Sequence, residues 1–483
     1  MIKPIREPEK LQDTLSEIQT LLAREELAPL LDQKEEAERQ LLLGKTEYQP
    51  LLTELHTKLD ELHPADVAYV LEALPRPERM LVWDLVKADR DGEILIELSD
   101  AVRESLIATM DSAELVAATE QLNTDEIADL AHDLPTEVIE DVFDALPAEE
   151  RQRLREAMSY PSDAVGALMD FDMVTIREDV TLEVVMRYLR RLDELPDHTD
   201  KLFVIDREEY LKGVLPINRL LVSDLELSVA RVMTTEDIVK FLPQDNAQEA
   251  AQAFERYDLV SAPVVDGNNK LVGRVTVDTV VDFIRSRAES EMLNQVGLRE
   301  DEDIFASVWQ SAKNRWLWLA VNLCTAFVST RVIKFFEGSI VQIVALATLM
   351  PIVAGIAGNS GNQTMTLIIR SLALGQINAS NARSLILKEF AITFLNGIVW
   401  GGIAGSLAWM LYMGDAKGLQ LGLVMMSAML LSLLVGALVG MLVPLLLQKL
   451  GRDPAMGSSV LLTFMTDSMG FFIFLGLATV FLV

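Results

Sequence analysis

Cysteine is nearly absent from this chain. Cys324 is the only one, so no internal disulfide can form. It lies in an apolar run, where a lone thiol is expected to pack as a small hydrophobe. Histidine is scarce as well: His56, His63, His132 and His198 are scattered. No nucleophile–base spacing and no phosphate-cradling glycine loop accompanies them, which argues against a soluble enzyme. The first ten residues are charged and lack the apolar stretch of a secretion signal, so the long N-terminal half is expected to stay in the cytoplasm. Basic charge is also in short supply, with 42 Lys+Arg against 73 Asp+Glu and a formal net charge of −31. Phosphate binding needs a basic face, so nucleic acid is not expected as a partner.

The deficit is unevenly spread. Residues 311–483 hold 10 basic and 5 acidic residues, whereas residues 1–310 hold 32 and 68. A very acidic soluble half is joined to a half that reads as membrane. Such acidity suits cations as ligands.

In the second half, residues 338–369, 390–414 and 418–448 carry no charge, and 454–483 carries only Asp467. A spanning helix needs roughly 20 mainly apolar residues. Five spans are expected, near 316–336, 340–370, 384–412, 420–448 and 456–482. With the N-terminus inside, Lys313, Arg315, Arg370, Arg383, Lys388, Lys449 and Arg452 fall on the inner side, and Arg331, Lys334 and Lys417 outside. Five spans then put the C-terminus outside. Small residues such as Gly401, Gly405, Gly436 and Gly440 predict close helix crossings.

Two features of this half look chemical. The run Gly358-Asn359-Ser360-Gly361-Asn362 reads as a polar break at the end of the second span, with carbonyls facing a water-filled cavity. Asp467 is a carboxylate in mid-span, which costs about 2.5–3.5 kcal/mol to insert and so is expected to face a pathway. The apolar interiors of the other spans offer it no basic partner. Carboxylate, amide and carbonyl oxygens without His or Cys suit a hard cation. A single carboxylate per chain suits Mg²⁺, which dehydrates reluctantly.

The soluble half has two textures. Leu11, Leu15, Ile18, Leu21 and Leu22 are spaced for an amphipathic helix. The stretch Leu62-His63-Pro64-Ala65-Asp66 to Leu74-Pro75 is echoed sixty residues on by Leu122-Asn123-Thr124-Asp125-Glu126 to Leu134-Pro135, which predicts a helical superhelix ending near Met158. Its acids, Asp125, Glu126 and Asp129 among them, most simply mark helix N-termini and solvated faces. From residue 160 the period changes. Leu202–Asp206 with Leu211–Leu215, and Ala262–Asp266 with Leu271–Val275, read as hairpins, each following a helical run. This tandem unit resembles a CBS-domain pair, a regulatory module that often binds adenine nucleotides. Arg219 and Thr279 occupy the positions where ligand-binding copies carry an Asp on ribose, so nucleotide binding at this pair is expected to be weak or absent. From Val277 a helix runs toward the first span through Asp278, Asp282, Glu289 and Glu291 to an acidic turn at Glu300-Asp301-Glu302-Asp303.

The order of these parts resembles the MgtE family of magnesium channels. The resemblance rests on Leu62-His63-Pro64-Ala65-Asp66, Ser159-Tyr160-Pro161, Asn322–Phe327, Met350–Gly355, Gly358–Gln363, Lys388-Glu389-Phe390 and Thr466–Phe472. It implies a multidomain architecture: an acidic α-helical N domain (1–158), tandem CBS domains (159–285), a connecting helix (286–312) and a five-helix transmembrane pore domain (313–483). It also implies a homodimer in the inner cell membrane with the pore on its axis. Asp467 would contact hydrated Mg²⁺ beside Gly358, Asn359 and Asn362. Cytosolic Mg²⁺, bridging acids such as Asp278, Asp282, Glu289 and Glu291, would close the channel. Two other classes fit the residues: a divalent-metal transporter coupled to another cation, and a membrane Mg²⁺ sensor that conducts nothing.

Overall fold

The computed structural model describes residues 8–24, 27–31, 48–120, 122–192, 194–298, 303–374, 376–377 and 382–483. The expected turn residues Glu300, Asp301 and Glu302 lie outside them. The chain divides into two compact units. One is Met1–Ser286 with Asp303–Ala306, and the other is Arg287–Glu302 with Ser307–Val483.

The first unit begins with helix Pro8–Leu22, which buries Ile18, Leu21 and Leu22, and helix Gln49–Asp60. Short helices follow from Pro64–Glu72 to Ala148–Ala157, as the internal echo predicts. The two echoed segments open alike. His63 caps Pro64–Glu72 by accepting from the Ala65 N–H at 3.3 Å. Asn123 caps Thr124–Ala131 in a reciprocal box, its own N–H donating to Glu126 Oε2 at 2.8 Å. Glu126 is therefore a capping acid at a helix N-terminus, as expected.

The α/β part contains two hairpins in the expected places. Strand β1 (Thr175–Arg177) pairs parallel with β2 (Lys201–Ile205), which pairs antiparallel with β3 (Leu211–Pro216). In the second copy β4 (Ser261–Val265) pairs antiparallel with β5 (Leu271–Thr276). The copies are laced together at their turns, where Leu211 N–H donates to Asn269 O and Leu271 N–H to Glu209 O, both at 3.0 Å. Asp170, ahead of β1, receives Arg274 of β5 at 2.7 Å with both side chains buried.

Arg79 is the largest fully buried side chain of this unit. Its Nε donates to Leu71 O at 2.8 Å. Its two terminal nitrogens grip Asp303 at 2.7 and 3.2 Å, across 224 residues of sequence. The guanidinium holds the Asp303 carboxyl below the usual range against the opposing effect of burial, which is the largest influence on it. A four-residue piece of chain just before the first long membrane helix is thus plugged into the helical domain.

Among the described residues the second unit contains five long helices: Val308–Phe335, Ala345–Ala373, Ala382–Leu411, Gly418–Lys449 and Ser458–Leu482. Four of them are long and apolar enough to cross a membrane; the second matches them in length but is diluted by its polar segment. The expected close crossings are present. A Cβ on Gly405 would meet Gly422 O at 2.5 Å, and one on Gly436 would meet Ala357 O at 2.5 Å. Three expectations need correction. The Gly358–Asn362 run is no break: it lies inside the continuous helix Ala345–Ala373. Its weak helix formers cost less than about 1 kcal/mol each, and burial of Ala357, Gly361, Thr364 and Met365 on the same helix outweighs that. The first long helix starts at Val308, before the expected residue 316. Cys324 is exposed on that helix instead of packed inside.

Breaking the buried Arg79–Asp303 pair should destabilise the helical domain strongly. Arg79→Met or Asp303→Leu alone is expected to cost about 3–5 kcal/mol, because each leaves one charge buried without its partner, whereas the double substitution should recover most of it. Thermal melting of the four proteins checks this, and additive losses would contradict it.

Candidate ion path and acidic sensor surfaces

Asp467 lies near the middle of the fifth long helix and is half-buried. Among the described residues it has no hydrogen-bond or ion-pair partner. Its neighbours in sequence fix its surroundings. Thr466 is buried and turned toward the second long helix, its Oγ1 3.5 Å from where a Cβ on Gly358 would sit. Ser468 shares a hydrogen bond of 2.9 Å with Ser329 of the first long helix. Asp467 therefore stands where the fifth helix meets the second and first. The neighbouring acid-free segment contributes differently from the expectation. The carbonyl of Gly358 is engaged within its helix, so the residue supplies closeness and not an oxygen. Asn359 and Asn362 are exposed, and Gln363 and Thr366 continue the same face at helical spacing. A polar stripe thus runs down the outside of a membrane-length helix.

Helix Val277–Gln295 carries all four acids expected on the connecting segment. It begins in the first unit and ends in the second. Within the first unit, Asp278 lies 3.7 Å from His198 Nε2. Partial desolvation pushes the Asp282 carboxyl up, and Asp278 and Asp129 add to this against the pull of Arg285. Glu97 is pushed up too, first by desolvation and then by Asp282. Asp282 thus faces acids of the helical domain, while Asp278 stands beside His198. The other two differ. Glu291 is paired with Arg287 at 3.3 Å, one turn away, and Glu289 is exposed. Near its end Asn294 donates to Asp453 at 3.1 Å and its carbonyl accepts from Gly457 N–H at 3.1 Å. Gly457 has φ +59°, and a side chain there would strike Trp318. The last turn of this helix is thereby held between the loop before the fifth long helix and the first long helix.

Two acids that the sequence does not mark as site residues stand out in the structure. Asp125 is pushed up to about 7 by desolvation first and then by Asp170, Glu126 and Asp172. Asp91 is pushed up to about 7 by desolvation, Glu114 and Asp89. The echoed Asn-Thr-Asp-Glu pattern marks Asp125 as a helix start, and only the fold brings Asp170 and Asp172 to it. Among the described residues no three His, Cys, Asp or Glu stand close enough to chelate an ion directly. Facing carboxylates in mutual repulsion, without a tight trio, fit a cation that keeps its water shell and bridges them.

A third omission lies in the membrane unit. Glu389 is 8% exposed, on the third long helix, so Asp467 is not the single carboxylate at membrane depth. Its context Lys388-Glu389-Phe390 sits next to a basic residue, which reads as a span boundary.

Comparison with known proteins matches parts of both units. A family described as the MgtE intracellular N domain matches residues 62–163, the CBS domain matches 229–286, and MgtE, described as a divalent cation transporter, matches 350–477. The magnesium transporter MgtE of Thermus thermophilus is 31% identical over 434 residues, 88% of this chain and 94% of that protein. The magnesium transporter MgtE of Bacillus subtilis is 29% identical over 431 residues, 89% of this chain and 94% of that protein. A solved cytosolic domain of the Mg²⁺ channel MgtE, in complex with ATP, is 30% identical, covers 51% of this chain and 98% of its own, and superposes with a TM-score of 0.44.

The raised carboxyls predict a pH dependence. The folded state keeps a proton on Asp125 and Asp91 that the unfolded chain has already lost, so stability falls as pH rises from about 4 through about 7. Without divalent ions, the melting temperature of the acidic half should drop between about pH 5 and 8, Asp125→Asn should flatten the drop, and millimolar Mg²⁺ should restore the loss at the higher pH. A melting temperature that rises over this range would contradict the assignment.

Proposed function

The chain belongs to the MgtE family of magnesium transporters, and from that premise we propose that it conducts Mg²⁺ across the inner cell membrane as a homodimeric channel closed by cytosolic Mg²⁺. It is a multi-pass membrane protein of a transporter family, not of an enzyme family. The observation that carries the reading is Asp467: a membrane-depth carboxylate without a basic partner among the described residues, beside a helix whose exposed face bears Asn359 and Asn362. Lipid gives such a polar stripe nothing to bond. A second copy covering the same face would line a polar path on the dimer axis, with Asp467 supplying its negative charge. The amides and the carboxylate are hard oxygens, suited to an ion that crosses with much of its water.

The long N-terminal half lies in the cytoplasm in this reading, and the C-terminus outside, as the basic residues flanking the spans require. Helix Val277–Gln295 joins the two functions. Its first turns set Asp282 against Glu97 and Asp129 of the helical domain and Asp278 beside His198, and its last turn is anchored at Asp453 and Gly457. At low Mg²⁺ the facing carboxylates repel and the domain packing loosens; at high Mg²⁺ bridged carboxylates hold it closed. Glu289 and Glu291 belong to the same device, with Arg287 competing for Glu291. Arg219 is turned to Thr234 at 3.0 Å, and Thr279 shares a 2.8 Å hydrogen bond with Thr276. Neither supplies the acid that a ribose would need, which supports weak nucleotide binding at the CBS pair.

Asp467→Ala should abolish Mg²⁺ uptake into liposomes while leaving expression intact, since removing the carboxylate relieves an insertion cost of about 2.5–3.5 kcal/mol. Normal uptake by the well-expressed variant would remove Asp467 from the path.

A further inference from the structure

We propose that Glu389 and Thr364 form a second cation-contacting site in the membrane unit, separate from Asp467. The proposal rests on the reading of this chain as a Mg²⁺ pathway.

Glu389 is 8% exposed, and Thr364, on the second long helix, is 5% exposed. The Thr364 hydroxyl donates to Glu389 Oε2 at 3.4 Å, long for an O–H···O contact. Thr393, one turn further along the third long helix, is 2% exposed. Among the described residues no Lys, Arg or His makes an ion pair with Glu389. Lys388, its neighbour in sequence, is exposed, and adjacent residues on a helix do not face each other. Arg370 and Arg383, nearest the same helix ends, are exposed as well.

Depth makes the isolation of this carboxylate expensive. Glu389 stands seven residues inside the start of Ala382–Leu411, and Thr364 nine residues before the end of Ala345–Ala373. At about 1.5 Å per residue both are roughly 10–14 Å from their helix ends. Asp467, nine residues inside the start of Ser458–Leu482, is at the same depth from the same side. A carboxylate there, held by one long hydroxyl contact, lacks the opposite charge that buried ions require. The charge it is suited to meet is the cargo. The carboxylate and the Thr364 hydroxyl are hard oxygens, the donor class of a hydrated divalent cation.

The second long helix connects the two acids. Its Gly358 faces Thr466, beside Asp467, and its Thr364 faces Glu389 two turns later. One helix therefore runs past both acids, its two contacts about 9 Å apart along its axis, and conduction needs successive sites that an ion can both enter and leave.

The test labels carboxyls of the intact chain in liposomes with dicyclohexylcarbodiimide, an apolar carboxyl reagent, and locates them by mass spectrometry. Millimolar Mg²⁺ should suppress labelling at Glu389, and K⁺ of equal ionic strength should not. Glu389→Gln, which preserves shape, should raise the Mg²⁺ concentration for half-maximal flux by roughly tenfold, the scale of one interaction with a charged group. Mg²⁺-insensitive labelling of Glu389, or a Glu389→Gln protein with unchanged half-saturation, overturns the site. Flux of the unaltered chain is measured first. If that chain passes no Mg²⁺, the channel reading fails; if it does and Glu389 is indifferent, only this site fails.

Discussion

A charge taken out of water must meet an opposite charge or a set of oriented dipoles, and the parts of this molecule differ in how they satisfy that demand. Arg79 with Asp303, and Arg274 with Asp170, satisfy it inside the fold. Arg103 does so with Asp133, Asp129 and Asp100 at 2.5–3.1 Å. These pairs fix structure. Among the described residues Asp467 and Glu389 find no opposite charge, and Asp125, Glu97 and Asp282 face charges of their own sign. Carboxylates left over after the basic residues are spent are where an external cation is needed, and the chain has far more acids than bases to leave over.

The surplus is placed at two levels. In the acidic half it lies between the helical domain and the start of helix Val277–Gln295, where repulsion works against compactness. In the membrane unit it is reduced to isolated acids among small residues and hydroxyls. In the function proposed here the two levels answer to one ion in different ways: many weakly held carboxylates sense its concentration, and few deep ones let it pass. The plug of Asp303 into Arg79 adds a second connection between the helical domain and the chain entering the first long helix, beside the one made by the long connecting helix.

Much of this was legible in the sequence, and the failures have physical causes. Apolar run length and charge gaps gave the long helices, because lipid leaves little latitude. The sixty-residue echo gave the helical domain, because each repeat must cap its own helices. The Gly358–Asn362 run misled because glycine and asparagine are weak helix formers only in isolation; buried neighbours on the same helix outweigh them. Asp467 was legible from the absence of nearby charge. Glu389 was not, since Lys388 beside it makes the pair look like the edge of a span, and only the turn of the helix separates an exposed lysine from a buried acid. Asp125 reads only as a helix-start acid, because Asp170 and Asp172 are brought to it by tertiary contact alone.

The most direct measurement is Mg²⁺ flux through the purified chain in liposomes, with Mg²⁺ varied independently on the two sides and no other cation gradient imposed. The account predicts flux down the Mg²⁺ gradient alone, falling steeply when Mg²⁺ rises on the side bearing the acidic half and not when it rises on the other. Flux that needs an Na⁺ or H⁺ gradient, or that ignores Mg²⁺ on the acidic side, would contradict it.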